Sequence, residues 1–229
     1  MKLKLIRVER DLIYFHLFFI ILCVTILIIP ISNSIGVKLF ILVAIYNLIL
    51  PILTKIRKYN DLLRLWVLVF IISLFQIWPD WFLSAQLNIL IFPEDGLFKI
   101  GSVSGYMIGL WAIPLFVIIF TGMRAKDRYS NKIGYLIVVL LSLLIFGMAE
   151  QSMWMLESWY PQNVTLIFDH IAIYIIIPEV ILGLSSYFVY NKIKNEKFWI
   201  FLLMAFLIML LYLGSASFFY FLIEKVVLI

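Results

Sequence analysis

Charge is scarce in this chain. Asp, Glu, Lys and Arg make up 14% of its 229 residues against 65% hydrophobic, and the mean hydropathy is +1.12. A soluble domain carries about 25% charged residues, so too little polar surface exists to coat a globule in water, and lipid must be the solvent for most of the chain. Cysteine occurs once, as Cys23 inside an apolar run, which excludes an intrachain disulfide and leaves no CxxC or Cys/His metal spacing. With only two histidines, and "GSVSG" in place of GxSxG, a serine triad finds no support. The last apolar run has no lysine for a retinal Schiff base. Asp127-Arg128-Tyr129 follows the fourth run rather than the third, and NPxxY is missing, which argues against a seven-helix receptor. Low-complexity tracts, long linkers and internal repeats are also lacking, so one domain over residues 1–229 is expected.

What the chain has is apolar runs of spanning length. A span needs about 20 mostly apolar residues, and seven runs qualify: Leu12–Ile31, Gly36–Thr54, Leu62–Trp78, Ser102–Thr121, Ile133–Gln151, Leu166–Tyr190 and Phe198–Ile223. Backbone groups in hydrocarbon must pair within their own segment, so each run is predicted to be a helix. The first run follows basic residues, but no small-x-small cleavage site comes after it, and it is expected to be a retained helix. Trp81–Phe92 is too short to cross and suits an interfacial or re-entrant segment. The fold class is therefore all-α, polytopic, with seven transmembrane helices.

The basic residues alternate. Of 18 Lys and Arg, 15 fall before the first run and in the segments after the second, fourth and sixth. The positive-inside rule then predicts a cytoplasmic N-terminus and an external C-terminus. These residues suit lipid headgroups and form no patch for nucleic acid. Trp78, Trp81, Trp154 and Trp159 fit an outer aromatic belt, with Trp66 and Trp199 near the inner one, while Trp111 lies mid-span.

The acids are the candidate chemistry. Eight of the 13 fall on the outer side or within the membrane, where only three lysines offset them, leaving a charge of about −5. Asp80 follows Pro79 where the third run ends, and Pro-Asp and Asp-Gly are turn signals. Glu150 ends the fifth run, and an aromatic loop comes next. In "FDHIAIYIIIPEVILG" the sixth run carries Asp169 and His170 near its outer end, expected at the mouth of a cavity, and Glu179 as its floor. At 1.5 Å per residue Glu179 would lie about 15 Å deeper, near the bilayer centre, where a charge costs about 2.5–3.5 kcal/mol. Pro178 is expected to kink that helix. Gly101, Gly105 and Gly109 recur every four residues and predict a close-packing stripe, within the monomer or between copies.

The stretches "PDWFL", "FPEDG", "GYMIGLWAIPLF", "AEQSMWMLESWYPQN" and "HIAIYIIIPEVILG" resemble a family of small bacterial multi-pass membrane proteins of unknown function. More distantly, the size and outer acids are similar to integral-membrane carotenoid and terpenoid cyclases or hydratases. The resemblance carries no catalytic motif onto this chain, and it names no cofactor or metal. It places the protein in a bacterial cytoplasmic membrane, as the Ile/Lys/Phe/Asn-rich usage also suggests.

The residues support two main readings. In the first, a lipid- or isoprenoid-modifying enzyme uses Glu150, Glu179, Asp80, His170 and Asp169 as catalytic groups. Trp78, Trp81, Trp111, Trp154 and Tyr174 then form the walls around a hydrophobic substrate, since cation-forming chemistry needs an acid and aromatic faces. In the second, the outer acids bind or transport a cation or small solute. A non-catalytic assembly partner is the third possibility.

Overall fold

The computed structural model describes residues 6–28 and 34–227. Lys2, Lys4 and the end of the first run, 29–31, lie outside the described residues. Seven helices are long and apolar enough to cross a membrane: α1 (Arg7–Ile28), α2 (Ile35–Ile56), α3 (Asn60–Gln86), α4 (Met107–Arg128), α5 (Asn131–Leu156), α6 (Ile173–Ile193) and α7 (Phe198–Val227). The tightest neighbours are α4 with α5, α6 with α7, α5 with α6, and α3 with α7. Large apolar side chains such as Ile20, Ile21, Leu140, Leu144 and Leu211 stay exposed, as a lipid-facing surface requires.

The two ends of the bundle are built differently. At one end short turns join the helices and the basic residues are tied down. Glu9 of α1 pairs with Arg124 Nε of α4 at 3.0 Å and with Arg128. Asp11 accepts from Tyr59 at 2.9 Å and pairs with Arg57. Arg64 Nη1 donates to the carbonyls of Lys194 and Glu196, capping α6.

At the other end three antiparallel two-stranded ribbons form a lid. They are β1 (Leu90–Ile91) with β4 (Tyr160–Pro161), β2 (Lys99–Ile100) with β3 (Val103–Ser104), and β5 (Leu166–Ile167) with β6 (Ile171–Ala172). The first ribbon joins the α3–α4 and α5–α6 connections in the register Leu90↔Pro161. Gly36 N–H donates to the Asp95 carbonyl at 3.0 Å, and Thr165 donates twice to the Glu224 carboxylate, so the lid is fastened to α2 and α7.

The lid changes several expectations. The fourth helix begins at Met107 rather than Ser102, because Gly101 turns the β2–β3 ribbon with φ +63°. A Cβ there would also lie 2.6 Å from Trp81 Cδ1. Gly101 and Gly105 therefore do not share a helical stripe with Gly109, which packs against Val43 and Asn47 of α2. The sixth helix begins at Ile173 rather than Leu166, because Leu166–Ala172 forms a ribbon. Pro178 and Glu179 consequently sit in the first turn of its α-helical part, Ile176–Ile193. A proline there gives up no helical N–H bond, so it starts the helix instead of kinking it. Glu179 is near the lid end of its helix, not midway along it.

Helix α3 does not end at Pro79. It passes through an irregular turn at Gln76 and runs on as a π-helical turn, Phe82–Gln86. The segment expected as interfacial over Trp81–Phe92 is thus divided between the end of α3 and strand β1.

Close approach of α4 to α5 depends on Gly122, where a Cβ would run into Val138 Cγ2. Gly122→Ala should destabilise the protein by about 1–3 kcal/mol through overpacking. Adding Val138→Ala should recover part of that loss. Thermal unfolding in detergent reads both, and an unchanged midpoint in Gly122→Ala would contradict this helix contact.

Candidate functional site

Three acids converge beneath the lid. Asp80 comes from α3, Glu150 from α5 and Glu179 from α6. Asp80 is 2% exposed and Glu179 4% exposed. Glu150 lines the small chamber with Asp80 and the large cavity with Glu179. Indole N–H groups hold two of them: Trp111 Nε1 donates to Asp80 Oδ2 at 3.1 Å, and Trp159 Nε1 to Glu150 Oε1 at 3.0 Å. Glu179 makes no hydrogen bond or ion pair among the described residues. The hydroxyls of Tyr174 and Tyr212 lie in the electrostatic field of all three acids. None of the six ion pairs among the described residues involves a cluster acid. No three His, Cys, Asp or Glu side chains among the described residues are grouped as metal ligands.

Prolines shape the backbone around the cluster. Pro79 precedes Asp80 and, lacking an N–H, leaves the Phe75 carbonyl without its helical partner. Pro114 does the same to Leu110 and coincides with the break in α4 at Trp111, which turns the indole toward α3. Gln76 lies one turn before Asp80, fully buried, and both amide atoms lack partners among the described residues.

Two cavities meet at this cluster. A chamber of about 30 Å³ is lined by Asp80, Glu150, Trp111, Trp159, Tyr174 and Tyr212 among others, which is space for about one or two waters. A second cavity of about 490 Å³ lies between α1, α2, α4 and α5. Its walls are apolar, with residues such as Cys23 and Leu27 of α1, Val43 of α2, Val117 of α4 and Phe146 of α5. Its ionisable lining is Glu150, Glu179 and the thiol of Cys23. Met107, Trp111, Glu150 and Trp159 border both cavities and so form the partition between them. Met148 on the rim is 62% exposed on the lipid-facing side of α5, so the large cavity reaches the bilayer surface of the bundle.

The expected site residues divide. Asp80, Glu150, Glu179, Trp111 and Tyr174 come together. Asp169 and His170 do not join them. They lie at the β5–β6 turn, where Phe168 and Asp169 adopt positive φ and Asp169 points to solvent. His170 stacks on Trp154 at 4.3 Å, so these two rings pair with each other outside the acid cluster. Trp78 is exposed on the bundle surface with its edge toward Trp81, which packs over Gly101. Trp78, Trp81 and Trp154 line neither cavity. Trp159 and Tyr212 are central, although nothing in their local sequence separates them from belt or packing aromatics.

The fold and this site define a multi-pass membrane protein with a carboxyl cluster set among aromatic rings under a lid of ribbons, Asp80 and Glu179 buried and Glu150 half-buried. The chain belongs to the family of a domain of unknown function (DUF6989), whose model matches residues 77–223. The match runs from α3 to α7 and contains every residue of the carboxyl cluster, while α1 and α2 precede it. No curated protein and no solved structure matches the chain.

The Trp111–Asp80 bond should behave as a coupled pair. Trp111→Phe and Asp80→Ala should each destabilise by about 1–3 kcal/mol, since each strands or removes a buried polar partner. The double variant should lose less than the sum. Strict additivity in thermal or denaturant unfolding would show that the two groups do not interact.

Proposed function

We propose that this protein is a membrane enzyme that performs acid-initiated chemistry on a carbon–carbon double bond of an isoprenoid or related lipid. The observation that carries the reading is the uncompensated carboxyl cluster at the end of an apolar cavity that reaches the lipid-facing surface. Three acids without a cation among the described residues are costly in apolar surroundings. A proton held by the cluster relieves that charge and is also the reagent that alkene chemistry needs.

Glu179 is the proton donor in this reading, because its carboxyl faces the cavity and makes no competing hydrogen bond. The carboxyl O–H bond breaks as a C–H bond forms on the alkene. The positive charge is left on the neighbouring carbon and the negative charge on Glu179. Glu150, which lines the same cavity and accepts from Trp159, is the second carboxyl beside the reacting end. Trp111, Trp159 and Phe146 line the same cavity as Glu179 and present aromatic faces to the developing cation, each ring worth about 2 kcal/mol or more when desolvated. Loss of a proton from an adjacent carbon to the carboxylate restores the acid and gives a double-bond isomer, and where a second double bond of the chain first attacks the cation to form a C–C bond, the same proton loss from the new cation gives a ring. Capture by water gives an alcohol and returns a proton to the carboxylate.

The alternating basic segments support a cytoplasmic location for the turn end and an external one for the lid, in a bacterial cytoplasmic membrane. A second reading, a binding or transport site for a cation, draws on the same lack of compensating charge.

The test is product analysis of membranes from cells that make linear polyenes, with and without the protein. A product isomeric with the polyene, or heavier by one water, is expected. It should vanish in Glu179→Gln and Glu150→Gln while both variants insert at wild-type levels. Full turnover in both variants would remove the carboxyls from the mechanism. Cation flux into proteoliposomes that is lost in Glu179→Gln, with no lipid product, would establish the second reading instead.

A further inference from the structure

We infer that the large cavity is a binding site for a single apolar chain carrying positive charge at its buried end. Its deep end holds Glu150 and Glu179, and Glu179 is more than nine-tenths buried, faces the cavity and has no partner among the described residues. The remaining walls supply alkyl and aromatic contact and no basic group. A diphosphate, phosphate or carboxylate head would meet like charge there, so anionic lipids are excluded head-first. A positive centre meets opposite charge and the ring of Trp111, the combination that recognises ammonium groups and carbocations alike. The cavity volume of about 490 Å³ lies within the range for one medium-sized ligand, and the exposed rim at Met148 gives the chain a sideways entry from the bilayer.

The inference rests on the enzyme reading only for the origin of the charge. In that reading the charge appears when the alkene is protonated, whereas a permanently cationic lipid would bring its own.

Cys23 supplies the measurement. It is the only cysteine in the chain, and it lines the cavity. In nanodiscs, the rate of alkylation of Cys23 by a membrane-soluble maleimide is followed while dodecyltrimethylammonium, dodecanol or dodecyl sulfate is added at low mole fraction. The ammonium chain should protect Cys23 at concentrations about tenfold or more below those of the other two, a difference of about 1.4 kcal/mol. That advantage should disappear in Glu150→Gln/Glu179→Gln. Met148→Cys in a Cys23→Ser background repeats the measurement from the rim if Cys23 itself reacts too slowly.

Equal protection by all three chains, or an ammonium advantage that survives the double variant, would overturn the inference. A preserved advantage without any polyene product would leave the site as one for a cationic lipid and remove the enzyme reading. Polyene conversion without an ammonium advantage would do the reverse.

Discussion

The hydrogen bond from the Trp111 indole to Asp80 ties α4 to α3 where the acids meet, and much of the site depends on it. Both partners occupy irregular helix. Pro79 disturbs α3 one residue before the acid, and Pro114 disturbs α4 three residues after the indole. Neither side chain would be so placed on two regular helices with the same crossing. Once fixed, the Trp111 ring packs on Phe146 at 5.6 Å and on Tyr212 at 5.8 Å, linking α5 and α7 to the same point. The ring also divides the internal space, since it borders both cavities. Removing the bond would leave the buried Asp80 carboxyl without its hydrogen-bond donor in an apolar interior.

The lid explains how acids come to be buried at the end of a membrane bundle. Helix ends normally release their last carbonyls to water. Here the connections at one end fold into ribbons that pair their own backbone groups and lie across the helix ends. The buried Tyr106 hydroxyl bonds to Ser158, joining the segment before α4 to the one after α5. The opposite end has no such cover. Its acids Glu9, Asp11 and Asp61 are each matched by an arginine or a lysine. At that end the chain gives these three acids basic partners. Beneath the lid it gives the cluster acids none among the described residues.

The helices were legible because runs of about 20 apolar residues have few alternatives. Asp80, Glu150 and Glu179 were legible as candidates for a related reason, since an ionisable group in such a run needs an explanation. Trp111 stood out as the mid-span tryptophan. The ribbons were not legible. Leu166, Ile167, Ile171 and Ala172 are as apolar as the helix they precede, and composition cannot distinguish a short buried strand from the first turns of a span. That ambiguity moved Glu179 too deep and placed Asp169 and His170 on the same helix as Glu179. The positive φ angles at Phe168 and Asp169 turn those side chains away, and the single turn-forming residue there, Asp169, is outweighed by the apolar residues around it. Trp159 and Tyr212 were hidden for a different reason. Their roles come from partners elsewhere in the fold, Glu150 and Trp111, and an aromatic residue in a membrane protein is unremarkable until its neighbour is known.

Charge balance is what joins the site to a function. Two indole N–H groups stabilise carboxylate oxygens without neutralising them, so hydrogen bonding alone leaves a net negative centre in an apolar interior. That deficit must be met from outside the described residues by a proton or by a bound cation. A proton makes the cluster an acid next to a greasy channel, and a cation makes it a receptor. The apolar walls suit a hydrocarbon chain better than a small hydrated ion, and the proposed enzyme reading takes the protonated cluster as its starting point. In the proposed reaction the second would describe the site after proton transfer, when the positive charge would have moved onto the chain and the carboxylates would be left to hold it. One set of residues would thus serve both states of that proposal, and the lack of a basic partner among the described residues is the feature that would make it possible.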